Sequence, residues 1–147
     1  GVNRIEIDFI AGNLSLNRND DFLYSLLVPD RASTLFPCFD QPDLKAKYIL
    51  TITAPKEWEV LTAAAVEKQL SNGYFTTYKF KESDKMSTYL FSFVVGKFYK
   101  VAKNPGHFNM TMLYRETDTA KINLSLTTIF DLHEKSLSFL LFKSLTL

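Results

Sequence analysis

Cysteine is almost missing from this chain. Cys38 stands alone, which excludes an internal disulfide framework and leaves the redox compartment open. A lone thiol between Pro37 and Phe39 reads as a small core side chain more readily than as a nucleophile. An excess of one charge is missing too. Seventeen basic against sixteen acidic residues give a net charge of +1, and the lysines are dispersed, so the chain lacks the basic stripe that nucleic acid requires. No apolar run is long enough to span a bilayer, and no basic-then-apolar signal opens the sequence. Gly1 is not a natural start, so the missing signal says little about a leader, and the localisation stays open. Histidine occurs twice, and there is no G-x-S-x-G elbow, P-loop or serine–histidine or cysteine–histidine pairing to support nucleophilic catalysis. Internal repeats and low-complexity segments are absent.

What is present is alternation. With 147 residues, 46% of them hydrophobic and 14% aromatic, the chain fits one domain and can fill a core without staples. Ile5, Ile7 and Phe9 alternate with Arg4, Glu6 and Asp8, and Tyr48, Leu50, Ile52 and Ala54 share a face opposite Lys47, Thr51 and Thr53. Trp58 to Val60 opens a short strand. Asn72-Gly73 between Val66–Leu70 and Tyr74–Phe80 is a hairpin signal. Tyr89, Phe91, Phe93 and Val95 form one aromatic face, and Phe108, Met110, Met112 and Tyr114 another. Short strands at this spacing predict an antiparallel β-sandwich over residues 1–115.

The period then changes. From about Ala120 there is no proline or glycine, and Leu126, Ile129, Phe130, His133, Leu137, Leu140 and Leu141 recur at helical spacing. Thr128 and Asp131 have the spacing of a capping box. The expected fold is therefore mainly β, an antiparallel β-sandwich followed by one C-terminal helix, with a composition border near residues 116–122.

Residues 36–48 carry the most information. Pro37 and Pro42 fix a rigid turn and exclude a helix, Asp40 and Asp43 can accept bonds from turn N–H groups, and Phe36 and Phe39 supply apolar anchors. We expect Asp40 to bond N–H groups between the two prolines. The run Phe36-Pro-Cys-Phe-Asp-Gln-Pro-Asp43, extended upstream to Ala32 and downstream to Tyr48, resembles the N-terminal β domain of zinc aminopeptidases of the aminopeptidase N family. Tyr89-Leu-Phe-Ser-Phe-Val-Val-Gly-Lys-Phe98 and Tyr114-Arg-Glu-Thr-Asp118 are similar to the same family, whereas Phe142 to Leu147 departs from it.

The resemblance implies a saddle-like N-terminal domain over residues 1–118, then a linker and the first helix of a truncated catalytic domain over 119–147. Such a domain is not itself catalytic. It would cover one side of the cleft, stabilise the peptidase domain of the same polypeptide, and leave zinc and the hydrolysis of peptide N-termini to the missing part. The family's zinc motif is H-E-x-x-H on a helix. His133-Glu134 begins such a motif, but position 137 is Leu, and His107 is distant in sequence, so no cofactor is expected in this chain. His133 then reads as a helix-face histidine. The family's Gly-x-Met-Glu-Asn strand is also absent.

By the same resemblance, two substrate-binding positions near the bound N-terminus fall on Leu26 and Val28. Both are apolar where the family has a Gln and an acid or amide. Either the amine is anchored by catalytic-domain groups alone, or the register differs. The plain alternative for Ser25 to Val28 is a buried strand. Self-association through the exposed apolar helix is a further expectation. A reading of another class, a free-standing β-sandwich binding module for carbohydrate or protein, would use aromatics such as Trp58, Tyr74 or Tyr99.

Overall fold

The computed structural model describes residues 1–104 and 108–145, and the chain divides into two compact units, Gly1–Lys97 and Phe98–Leu147. This division follows packing. The border expected at 118/119 follows composition and resemblance, which is a different question.

In the first unit, β-branched and aromatic residues at alternate positions build two antiparallel sheets. The strands are β1 (Leu16–Arg18), β2 (Phe22–Ser25), β3 (Lys45–Ala46), β4 (Thr51–Pro55), β5 (Glu59–Thr62), β6 (Val66–Asn72), β7 (Phe75–Phe80), β8 (Met86–Ser87) and β9 (Phe93–Gly96). One sheet has the order β1-β2-β9-β5 and the other β4-β7-β6, while β3 and β8 pair separately. Ala54, Val60, Phe80 and Val95 come from both larger sheets and meet in one core, flanked by Leu23, Leu50, Ile52, Trp58 and Phe93. This is the sandwich that the alternation predicts. The even-numbered face from Tyr48 to Ala54 is the inner one, and Lys47, Ile49, Thr51 and Thr53 are exposed.

The hairpin closes one residue later than its signal. Asn72 pairs with Phe75, so Gly73 and Tyr74 form the two-residue loop. Gly73 has φ +57°, and glycine at the first central position suits a type II′ turn. At the other hairpin, Asn19 Oδ1 accepts the N–H groups of Asp21 and Phe22, so its side chain sets the turn into β2.

The alternation of residues 4–9 predicts a strand, and none forms there. Residues 1–12 join no described ladder, and Ile5, Ile7 and Phe9 are exposed. Alternation licenses a strand only if a neighbour supplies hydrogen bonds, and no described strand lies alongside.

The second unit contains β10 (Tyr99–Lys103) paired antiparallel with β11 (Met110–Tyr114), followed by α1 (Thr119–Leu145). Asp118 caps the helix, its Oδ1 accepting the N–H groups of Ala120 and Lys121 at 3.0 and 3.3 Å. Thr128 and Asp131 lie inside α1, so their box spacing caps nothing: Asp118 comes earlier and satisfies the free N–H groups first. Phe130 is buried beneath the Lys103 ammonium, 5.2 Å from its ring centroid. Leu137, Phe139, Leu140 and Leu141 are exposed. Among the described residues no helix is long and apolar enough to cross a membrane.

Candidate functional site

The corner at residues 36–48 is held from two sides. Phe36 and Tyr48 close on Phe91, with ring centroids 5.4 and 4.5 Å away, the first edge-on and the second stacked. Phe91 is buried, so the corner rests on an aromatic cluster that belongs to the sandwich. The polar side is Asp40. Its Oδ2 accepts the Ser33 N–H at 2.8 Å and its Oδ1 the Thr88 hydroxyl at 3.0 Å. The partners are thus not the N–H groups between Pro37 and Pro42. Asp40 instead joins two short 3-10 turns, Ala32–Thr34 and Thr88–Leu90, that are far apart in sequence. The turn itself is tied down by the Ser87 hydroxyl, which donates to the Pro42 carbonyl.

These bonds set the local electrostatics. Burial pushes the Asp40 carboxyl up, but the bonds donated by Ser33 and Thr88 outweigh it and hold the group below the usual carboxylate range. The Cys38 thiol is raised, first by burial and then by the Asp40 charge, which favours the thiol over the thiolate. That suits a packing role and not a nucleophile. Tyr48 is raised as well, by burial and then by Cys38 and Asp40, and its hydroxyl is buried without a hydrogen-bond partner among the described residues.

Phe39 departs from expectation. It is 83% exposed and anchors nothing, because the inward positions of the turn are taken by Phe36 and Asp40 on either side. It lines an open cleft of about 580 Å³ with Cys38, Leu44, Lys45, Tyr48 and Lys85. Leu26 and Val28 are also exposed, at 63% and 51%. β2 ends at Ser25, so the buried-strand reading of residues 25–28 is overturned. After the Leu26 N–H bonds the Ser15 carbonyl, the backbone turns at Val28, whose carbonyl accepts the Arg31 N–H, and Asp30 takes φ +66°. The run Leu26-Leu-Val28 alone resembles a strand, and the signal that could have ended it is Pro29-Asp30, a turn pair.

His133 lies exposed on α1, and its Nδ1 donates to the Ile129 carbonyl at 2.8 Å, one turn back. Leu137 occupies the next turn of that face. His107 lies outside the described residues. Among the described residues no group of three or more His, Cys, Asp or Glu is placed to hold a metal ion. One imidazole followed on its helix face by Leu137 does not make a zinc donor set. Of the aromatics that a binding module would present, Trp58 is partly buried and packs against the sandwich core. Tyr74 is exposed on its hairpin loop, and Tyr99 stacks on Tyr114 at 5.5 Å.

Comparison with known proteins gives this geometry a context. Residues 18–90 match the Peptidase M1 N-terminal domain family. The chain is 35% identical over 111 residues to a glutamyl aminopeptidase of Sus scrofa, an alignment covering 72% of this chain and 12% of that protein. It is 35% identical over 112 residues to the glutamyl aminopeptidase of Homo sapiens, covering 73% and 12%. It is 43% identical over 67 residues to aminopeptidase M1-B of Oryza sativa subsp. japonica, covering 46% and 8%. The chain therefore spans only a small part of the length of the curated relatives it matches.

Proposed function

Since this chain belongs, through residues 18–90, to the peptidase M1 N-terminal domain family, we propose that it is the non-catalytic N-terminal part of a zinc aminopeptidase. Residues 1–118 form its β domain, and 119–147 lead into the catalytic domain. Zinc and the hydrolysis of peptide N-termini belong to the portion of the parent outside these residues. The chain's own work is to cover one side of the cleft and to stabilise the peptidase domain by packing against it.

The observation that carries this reading is the pairing of two facts. The curated relatives are aminopeptidases that match most of this chain with a small fraction of their own length. The chain itself exposes large apolar side chains where a packed neighbour would cover them: Leu26, Val28, Phe39 and Leu44 in the first unit, and Leu137, Phe139 and Leu140 in the second. Burying such a side chain is worth about 1.5–3 kcal/mol, so a parent domain gains stability by covering them. Leu26 and Val28 then give the cleft an apolar rim beside the substrate's N-terminus. In the isolated chain the same helix face would drive self-association.

The test is removal of residues 1–118 from the parent. The remainder should melt at a lower temperature than the intact protein and recover part of the difference when the 147-residue chain is added in trans. A remainder with unaltered melting and unaltered peptide cleavage would remove both the packing and the covering role.

A further inference from the structure

The sequence holds the triplets Asn13-Leu-Ser15, Asn109-Met-Thr111 and Asn123-Leu-Ser125. Each has the acceptor pattern for an N-linked glycan. The pattern also arises by chance, so a triplet carries weight only where its surroundings suit a sugar. Those of Asn123 do. It is exposed near the start of α1 and lines an open cleft of about 420 Å³ within the second unit. Tyr99, Tyr114 and Leu126 give this cleft apolar surface, and the two tyrosine rings stack with centroids 5.5 Å apart. Lys100, Glu116 and Thr117 line it as well and bring polar groups to the same space. Tyr99 is 55% exposed, so part of its side chain is open to contact. A sugar ring has the matching duality. Its C–H faces pack against aromatic side chains, while its hydroxyl and amide groups seek hydrogen-bond partners. The cleft also has the size of pockets that hold small ligands, about 300–1,000 Å³.

We infer that Asn123 is a glycosylation site of the parent protein, and that the first N-acetylhexosamine of its glycan sits in this cleft against Tyr99. The donor is a lipid-linked pyrophosphate oligosaccharide. The Asn123 carboxamide nitrogen attacks the anomeric carbon of the first sugar. The new N–C bond forms as the C–O bond to pyrophosphate breaks. Pyrophosphate leaves with the electron pair, and the nitrogen gives up one proton to a base of the transferase. This step comes before α1 has formed. In the folded helix the Ser125 hydroxyl donates to the Lys121 carbonyl at 2.9 Å, so the hydroxyl that the transferase reads is already engaged. Folding of the helix then carries the attached sugar to the cleft that Asn123 lines. The inference stands apart from the catalytic reading, since it involves neither zinc nor peptide cleavage.

The test uses the full-length parent secreted from eukaryotic cells. Enzymatic release of its N-glycans in heavy-oxygen water marks every occupied asparagine as a labelled aspartate, which peptide mass spectrometry locates. Position 123 should be labelled in most molecules, and Ser125→Ala should abolish the label there. The seat in the cleft is read from the rate of release on the folded protein. Tyr99→Ala should speed release at Asn123 by about threefold or more, the factor that an aromatic contact of this kind is worth. Tyr99→Phe keeps the ring and should match wild type. An Asn123 without label in the secreted parent overturns the proposal, including the case in which only Asn13 or Asn109 is labelled. Equal release rates in wild type and Tyr99→Ala overturn the seating of the sugar against Tyr99.

Discussion

Replacing Phe80 by alanine should cost the first unit about 3–5 kcal/mol, the range for removing a fully buried phenylalanine, and lower its melting midpoint by about 12 °C or more. Phe80 is 1% exposed and sits where β7 brings the two sheets together, against Ala54, Val60 and Val95. Its backbone N–H also bonds the Leu50 carbonyl at 2.9 Å, so its ring is held over the core by the chain that carries the corner. Small residues such as Ala54 cannot move in to fill the space, and the cavity term should be nearly complete. Phe75 begins the same strand but is 52% exposed, so Phe75→Ala should cost less than about 1 kcal/mol. Chemical denaturation of the two variants separates burial from aromatic content. Equal losses would mean that the inner face of β7 has been misassigned.

The second large effect is expected at Asp40. Asp40→Ala should destabilise by about 1–3 kcal/mol, and the reason lies with Thr88 more than with Ser33. Ser33 is exposed, so its N–H can turn to water, whereas Thr88 is 3% exposed and its hydroxyl would be left unsatisfied. Adding Thr88→Val to Asp40→Ala should therefore recover part of the loss. Asp40→Asn keeps an acceptor and should lose less. The pH dependence follows from the lowered carboxyl. In the folded state Asp40 titrates below its unfolded value of about 3.9, so the unfolded chain binds more protons between the two values. Its contribution is fully present above that unfolded value and disappears as pH falls through the folded one. The advantage of wild type over Asp40→Asn should accordingly shrink only in acid, below about pH 4. Thermal melts of both proteins from pH 3 to 7 read this directly, and a constant difference over that range would show that the carboxylate charge takes no part.

The parts of the fold that were legible in the sequence are those with local causes. The alternation of residues 48–54 and 66–80 reports burial on one face, and the structure places that face inward. The helical period after Ala120 is equally local. What could not be read depends on partners far along the chain. Asp40 finds Thr88, 48 residues away, and no rule of turn chemistry names that pairing. Phe39 looked like an anchor beside Phe36, yet only one of the two could face Phe91. The strand pattern of residues 4–9 was plain, but a ladder belongs to two segments and no described strand pairs with this one. The capping box at Thr128 failed for a related reason, since the spacing was right but Asp118 had already begun the helix. At the candidate site, the family's substrate positions fell on Leu26 and Val28, and composition alone made them look buried. Their exposure comes from the turn at residues 28–31, where Asp30 adopts a left-handed backbone.

The most direct measurement is made on the intact parent and on the 147-residue chain side by side: bound zinc per molecule, and release of the N-terminal residue from a peptide with a free amine and from its N-acetylated form. The account predicts one zinc in the parent and release from the free-amine peptide only, with neither zinc nor release from the short chain. A parent without zinc or peptidase activity would contradict it. So would a 147-residue chain that holds one zinc, lost on His133→Ala, and removes N-terminal residues by itself.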